Sequence, residues 1–280
     1  MSRLRAKCPD CRTYTAVALG PEYECHVCGR SFAAGIVRVP RAWGKGGEAM
    51  AEAALLPFGY PEAAVVGEDS LREQTLAIAA ELPARPIVLG GCCCAHIGAV
   101  EGLASETDRL AVVWVDAHGD LNTIESSPSG NPWATPLRSL IDGGTVNADD
   151  VVLVAARNLD PPEEDFIASS GVHVGEDGLK RALDGVGCAY VAFDCDALAP
   201  GEIGAFMPEP GGPTLAEAES FLGRVREQAS VLGVGFTAFL PHPDNVPKLE
   251  RLAAAVGFSA SSGNDPVASG GGSPPDGALD

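Results

Sequence analysis

Two apolar runs of strand length each end in a burst of carboxylates, and few folds can accommodate that pattern. Leu110-Ala-Val-Val-Trp-Val115 runs into Asp116-Ala-His118-Gly-Asp120-Leu-Asn122, and Tyr190-Val-Ala-Phe193 runs into Asp194-Cys-Asp196. A strand that is apolar on every side must be covered on both faces, as in the middle of a parallel sheet. Carboxylates directly behind such strands lie at the carboxyl end of the sheet, where folds of this kind build their sites. In extended chain alternate side chains share a face, so Asp116, His118 and Asp120 are expected to point one way. Carboxylates gathered so closely repel one another unless cations hold them. Oxygen ligands with an imidazole suit divalent manganese or a similar ion.

The rest of the chain fits this architecture. Helical spacing or composition covers 46–56, 69–82, 95–105, 136–142, 161–169, 176–184, 214–229 and 244–256. Strand-like runs cover 87–90, 110–115, 151–155, 172–174, 189–193 and 231–239. Apolar strands alternating with helices predict an α/β fold built on a mostly parallel sheet. From Ser259 onward the chain is largely Gly, Ser, Pro and Asp, which predicts a disordered acidic tail over 259–280.

The first 34 residues read differently. Cys8-Pro-Asp-Cys11 and Cys25-His-Val-Cys28 resemble two zinc knuckles, since thiolates at i and i+3 in a tight turn both face one ion. Together they predict a small zinc ribbon with a closed structural site of Cys8, Cys11, Cys25 and Cys28. So short a segment buries little core, so the metal would supply its folding free energy. No apolar segment follows the basic start, and no run approaches the roughly 18 apolar residues that span a bilayer. A cytoplasmic protein is expected.

Charge is unevenly spread. The chain carries −19 in all, yet residues 1–40 hold six Lys or Arg against three Asp or Glu, so the remainder carries −22. Such a body repels nucleic acid and anionic membranes.

Trp114-Val-Asp116-Ala-His118-Gly-Asp120-Leu-Asn122-Thr123 followed by Ser129-Gly-Asn131 resembles the arginase, agmatinase and formiminoglutamase family. Phe193-Asp194-Cys-Asp196-Ala-Leu-Ala-Pro200 is similar to that family's second metal motif, and Gly90-Gly91 with its polar cluster to the first. Arg157-Asn-Leu-Asp160-Pro-Pro-Glu163 is similar to a segment lining the family's substrate site. The resemblance covers residues 35–258 and implies an arginase-like three-layer fold and a homo-oligomer. It also implies a small-molecule substrate whose carbon–nitrogen bond is attacked by a hydroxide bridging two manganese ions. Carried over, Asp116 and Asp194 bridge the metals, His118 and Asp196 bind one ion, and Asp120 binds the other. His118 and Asp120 are the catalytic candidates, and Asn122, Ser129, Asn131 and Asp160 match substrate-holding positions.

Three departures bear on what the chain does. The family's first ligand, usually histidine, is here Cys93, and a thiolate shifts preference toward zinc or iron. His96 is an alternative ligand, while Cys92 and Cys94 read as small buried residues. The family's proton-shuttling histidine aligns with Trp133, which cannot exchange a proton in that way. The glutamate that grips a guanidinium aligns with Ala238, with His242 and Asp244 nearby. Two readings follow: a hydrolase of a linear amidine or related amide, or a catalytically retired arginase fold used as a binding or assembly module. A deacetylase-type site also uses Asp and His at strand ends, but Ser129-Gly-Asn131 fits the arginase side better.

Overall fold

The computed structural model describes residues 4–259, so the tail expected over 259–280 lies almost wholly outside the described residues. Four short strands come first: β1 (Arg5–Ala6), β2 (Ala16–Leu19), β3 (Glu22–Cys25) and β4 (Ser31–Phe32). They form an antiparallel sheet in that order. Its small core is Ala6, Cys8, Ala16, Tyr23, Cys25 and Phe32.

Eight further strands build a second sheet in which every pairing is parallel. They are β5 (Gly35–Val39), β6 (Glu62–Val65), β7 (Pro86–Gly90), β8 (Ala111–Val115), β9 (Val151–Val154), β10 (His173–Val174), β11 (Cys188–Asp194) and β12 (Ser230–Thr237). Their order is β10-β9-β8-β11-β12-β7-β5-β6. The connecting helices are α1 (Glu48–Ala53), α2 (Leu71–Glu81), α3 (Ala95–Ala104), α4 (Pro136–Asp142), α5 (Pro161–Ser169), α6 (Leu179–Ala182), α7 (Leu215–Gln228) and α8 (Asn245–Ala255).

Alternate residues of one strand feed opposite cores, as the pleat requires. Ala111, Val113 and Val115 of β8 belong to one apolar cluster with Leu222 of α7 and Leu249 of α8. Val112 and Trp114 belong to another with Val100 of α3 and Leu137 of α4. The sheet is thus the middle of three layers, as the apolar runs demanded. Helix starts follow ordinary capping chemistry. Thr214 Oγ1 accepts from the Glu217 amide at 3.3 Å, and the Glu217 carboxylate accepts from the Thr214 amide at 2.8 Å.

β5 and β6 are absent from the strands expected from sequence. β6 is Glu-Ala-Ala-Val, low in β-branched residues, and β5 carries the charged Arg38 next to its last residue. Arg38 is nevertheless buried, because Glu62 Oε2 accepts from its Nε at 2.6 Å and the Ala54 carbonyl from its Nη1 at 2.7 Å. The expected helix over 176–184 is a single turn of 3-10 helix followed by the short α6.

β7 leads through α3 to β8, but β12 and β11 lie between those two strands in the sheet. Strand order reverses across this central group, which opens a crevice at the carboxyl ends of β7, β8, β11 and β12.

Candidate active site

A cavity of about 240 Å³ occupies that crevice, lined by Cys93, Asp116, His118, Asp120, Asp194 and Asp196 among others. The side chains converge by turns rather than by strand alternation, which corrects the expectation of a shared extended face. β8 ends at Val115, Asp116 Oδ1 then accepts from the His118 amide at 2.8 Å, and Asp120 adopts φ +52°. Behind β11, Asp194 Oδ1 accepts from the Asp196 amide at 2.9 Å and starts a turn of 3-10 helix. A carboxylate that caps its own turn folds its successor back toward itself.

Two overlapping donor groups result. Ligand atoms of Cys93, Asp116 and Asp120 lie within 4.8 Å of one another, and so do those of Asp116, His118 and Asp196. Asp116 belongs to both. His118 Nδ1 lies 3.1 Å from Asp196 Oδ2 and 3.5 Å from Asp116 Oδ1. Asp194 Oδ2 lies 2.8 Å from Cys93 Sγ and accepts from Thr237 Oγ1 at 3.2 Å. Trp114 Nε1 donates to Asp116 Oδ2 at 3.1 Å and fixes the shared carboxylate. Asp120 Oδ2 is buried with no hydrogen-bond partner.

The electrostatics are lopsided. Burial, then the charge of Asp196, pushes Asp194 up to about 7, and burial, then Asp116, pushes Asp196 up to about 6. Burial and the neighbouring carboxylates raise Asp116 and Asp120 as well. Burial alone would lower His118, but hydrogen bonds to Asp116 and Asp196 raise it to about 12. One imidazolium cannot neutralise four buried carboxylates. The unsatisfied Asp120 oxygen and this surplus of negative charge both fit divalent cations held by the two donor groups.

The residues carried over as substrate-holding take unequal places. Asn122 and Asp160 face each other, with Asn122 Nδ2 donating to Asp160 Oδ2 at 2.8 Å. Ser126 Oγ donates to Asn122 Oδ1 at 2.9 Å, so Asn122 is held on both ends of its amide. Ser129 is exposed and Asn131 half-buried; both line the cavity, and Ser129 Oγ accepts from the Asn131 amide at 3.2 Å. His96 is buried with Nδ1 2.9 Å from the Tyr190 hydroxyl and Nε2 3.3 Å from Thr237 Oγ1, so both ring nitrogens are engaged and it reaches the donor groups only through Thr237. Cys92 and Cys94 are buried beside Met50 and Ala238. His242 and Asp244 are exposed and do not line the cavity.

Part of the cavity lining is apolar. Met50, Trp133, Phe206, Met207 and Ala238 form it, and Trp133 meets Phe206 edge to face at 6.0 Å. Ala238 and Met207 both have φ +53°, a left-handed conformation uncommon for non-glycine residues.

Comparison with known proteins agrees with this geometry. The family model described as Arginase family matches residues 50–262. The chain belongs to the arginase family. Arginase from Bacillus caldovelox is 31% identical over 201 residues, covering 61% of this chain and 66% of that relative. Arginase from Bacillus subtilis strain 168 is 30% identical over 200 residues, covering 61% and 67%. The match thus spans about two thirds of the length of these curated relatives. Among solved structures, arginase from Bacillus subtilis superposes with a TM-score of 0.69 at 23% identity, covering 80% of this chain and 98% of that one. Proclavaminate amidino hydrolase from Streptomyces clavuligerus gives 0.63 at 21% identity, covering 81% and 91%. The structural likeness shows the arginase fold, and β1 to β4 precede the matched residues.

Sequence reasoning missed Glu209, and it gave no role to Arg157, Asn158 or Glu163 within the segment it singled out. Glu209 Oε1 lies 3.6 Å from His118 Nε2 and accepts from Asn158 Nδ2 at 3.0 Å. Arg157 pins that loop, donating from Nη2 to the carbonyls of Asp196 at 2.8 Å and Glu209 at 3.0 Å. Nothing in the Pro-Glu-Pro-Gly-Gly run marks Glu209 as more than a turn residue. Glu163 carries a legible signal, the N-terminal capping pattern Asp-Pro-Pro-Glu, and its Oε1 also accepts from the Leu121 amide at 2.9 Å.

Proposed function

We propose that the cavity is the active site of a hydrolase that uses two divalent cations, manganese or a zinc- or iron-like ion, to cleave a carbon–nitrogen bond in a linear amidine or related amide. The observation that carries the reading is the pair of donor groups sharing Asp116 beside the unpartnered Asp120 Oδ2. Cys93, Asp116, Asp120 and Asp194 would hold one ion, and Asp116, His118, Asp194 and Asp196 the other. When bound, such a pair acidifies a water and stabilises charge at the attacked carbon.

The chain's own side chains supply the rest. Trp114 and Thr237 orient Asp116 and Asp194 by hydrogen bonds. Asp120 Oδ2 is the acceptor left open for an ion or a proton. Ser129 and Asn131 offer neutral donors to a substrate's polar end, while the Asn122–Asp160 pair stiffens that wall. Trp133, Phe206 and Met207 give the cavity an apolar part against which a substrate's carbon chain would pack.

Ammonia or urea release from a panel of guanidino compounds, amidines and amides tests this. Turnover is expected in the full-length protein and not in the Asp194→Ala, Asp196→Ala double variant. Activity that survives the double change refutes the reading.

A second reading rests on Trp133 and Ala238, which put apolar side chains where a proton carrier and a guanidinium partner would stand. On it the chain is a retired arginase fold that binds or assembles without catalysis. Absence of core metal together with no turnover would favour it.

The same proposal extends to the N-terminus: residues 1–34 form a zinc ribbon, residues 35–258 the catalytic domain, and 259–280 a tail. Sγ of Cys8 and Cys28 lie 3.9 Å apart and those of Cys11 and Cys25 3.8 Å, and all four thiols lie within 4.8 Å. That arrangement suits one tetrahedral zinc with no open position.

A further inference from the structure

We propose that the two core ions are chemically unequal: the one at Cys93 is bound through sulfur and is a zinc-class cation, while the one at His118 is bound through nitrogen and oxygen. This rests on the dinuclear reading above and specifies its metal.

The sulfur sits inside the donor group, not at its edge. Cys93 is 6% exposed, and its Sγ lies 2.8 Å from Asp194 Oδ2, 3.9 Å from Asp116 Oδ2 and 3.6 Å from Thr237 Oγ1. It belongs with Asp116 and Asp120 to one of the two donor groups, so an ion among those carboxylates cannot avoid it. Backbone contacts fix its position. Cys93 lies two residues after Gly91, where an added Cβ would come within 2.4 Å of the Arg41 carbonyl oxygen, and the Cys93 carbonyl accepts from the His96 amide at 3.0 Å.

No imidazole is free to take the place of the sulfur. His96, one turn further on, bonds Tyr190 and Thr237 through its two ring nitrogens, and His118 turns Nδ1 toward Asp116 and Asp196. One half of the centre therefore offers a thiolate with carboxylates, and the other an imidazole with carboxylates. Thiolate ligands favour zinc and similar borderline-soft ions, whereas manganese prefers oxygen. The two halves also differ in access, since His118 has a 28% exposed side chain while Cys93 is enclosed.

The test loads metal-free, full-length protein with cobalt(II), whose bonds to thiolate give near-ultraviolet charge-transfer absorption that bonds to oxygen and nitrogen do not. Four ribbon thiolates and Cys93 contribute in the wild type, so Cys93→Ser should remove about a fifth of that absorption. In a Cys8→Ser, Cys11→Ser, Cys25→Ser, Cys28→Ser background the remaining band should vanish on adding Cys93→Ser. Competition with manganese and zinc gives an independent readout, and Cys93→His should move the preference toward manganese by about tenfold. Identical wild-type and Cys93→Ser spectra, with both core cobalt ions bound, overturn the proposal and leave the dinuclear reading standing. Failure of the core to bind any cobalt overturns both.

Discussion

Stripped of cations by a chelator, this protein should lose stability as the pH rises from about 5 to about 8. Asp194 is pushed up to about 7 and Asp196 up to about 6, in each case by burial first and a neighbouring carboxylate second. In an unfolded chain both titrate at about 3.9. Between those limits the native state holds protons that the unfolded state has already lost, so stability falls as pH rises. His118 acts in the same sense above about pH 6.5, because its pairing keeps a proton that the unfolded chain releases. At about 1.4 kcal/mol per unit, Asp194 alone accounts for about 3 kcal/mol between pH 5 and 8, and Asp196 for about 1 kcal/mol. That is a large share of a domain stability of roughly 5–15 kcal/mol. Urea denaturation in chelator, followed by circular dichroism across the range, measures it. Asp194→Asn should flatten the profile by about 3 kcal/mol. Saturating cation should reverse the trend, because ions and protons compete for the same oxygens. A chelated wild type whose stability is flat or rises from about pH 5 to about 8 refutes the reasoning.

Three smaller effects follow from other parts of the molecule. Arg12 closes the first knuckle at φ +57° where Gly29 closes the second at φ +71°, so Arg12→Gly should stabilise the ribbon by about 1 kcal/mol in thermal unfolding. Trp114→Phe removes the donor to Asp116 and should weaken core metal binding by about 10- to 100-fold, read by chelator competition. Burial would raise Asp150, but hydrogen bonds from Arg109 and Asn147 hold its carboxyl below the usual range. Asp150→Ala should therefore cost about 1–3 kcal/mol at neutral pH, and the wild type should lose that margin as acid protonates the carboxyl.

The central strands were legible in the sequence because their neighbours decide little: Ala111–Val115 is apolar on both faces and can lie only inside a sheet. The edge was less so. β6 is stabilised by the Arg38–Glu62 pair and by the N-terminal segment, where the Lys7 amide donates to the Glu62 carbonyl at 2.8 Å, and neither leaves a local signal. Asp116, His118, Asp120, Asp194 and Asp196 were identifiable because motif and strand end coincide. Glu209 and Thr237 were not, since each reaches the site through a partner far along the chain. Asp116, His118 and Asp120 do line one cavity, but not by sharing an extended face. Side-chain caps turn the backbone, and the convergence comes from those turns.

Metal content of the purified full-length protein, determined by mass spectrometry, tests the central claim most directly. The account predicts about three ions per chain: one zinc in the ribbon and two in the core, with both core ions lost from the Asp194→Ala, Asp196→Ala double variant. A single zinc per chain, unchanged by added manganese or zinc, would contradict it and leave the retired scaffold as the better description.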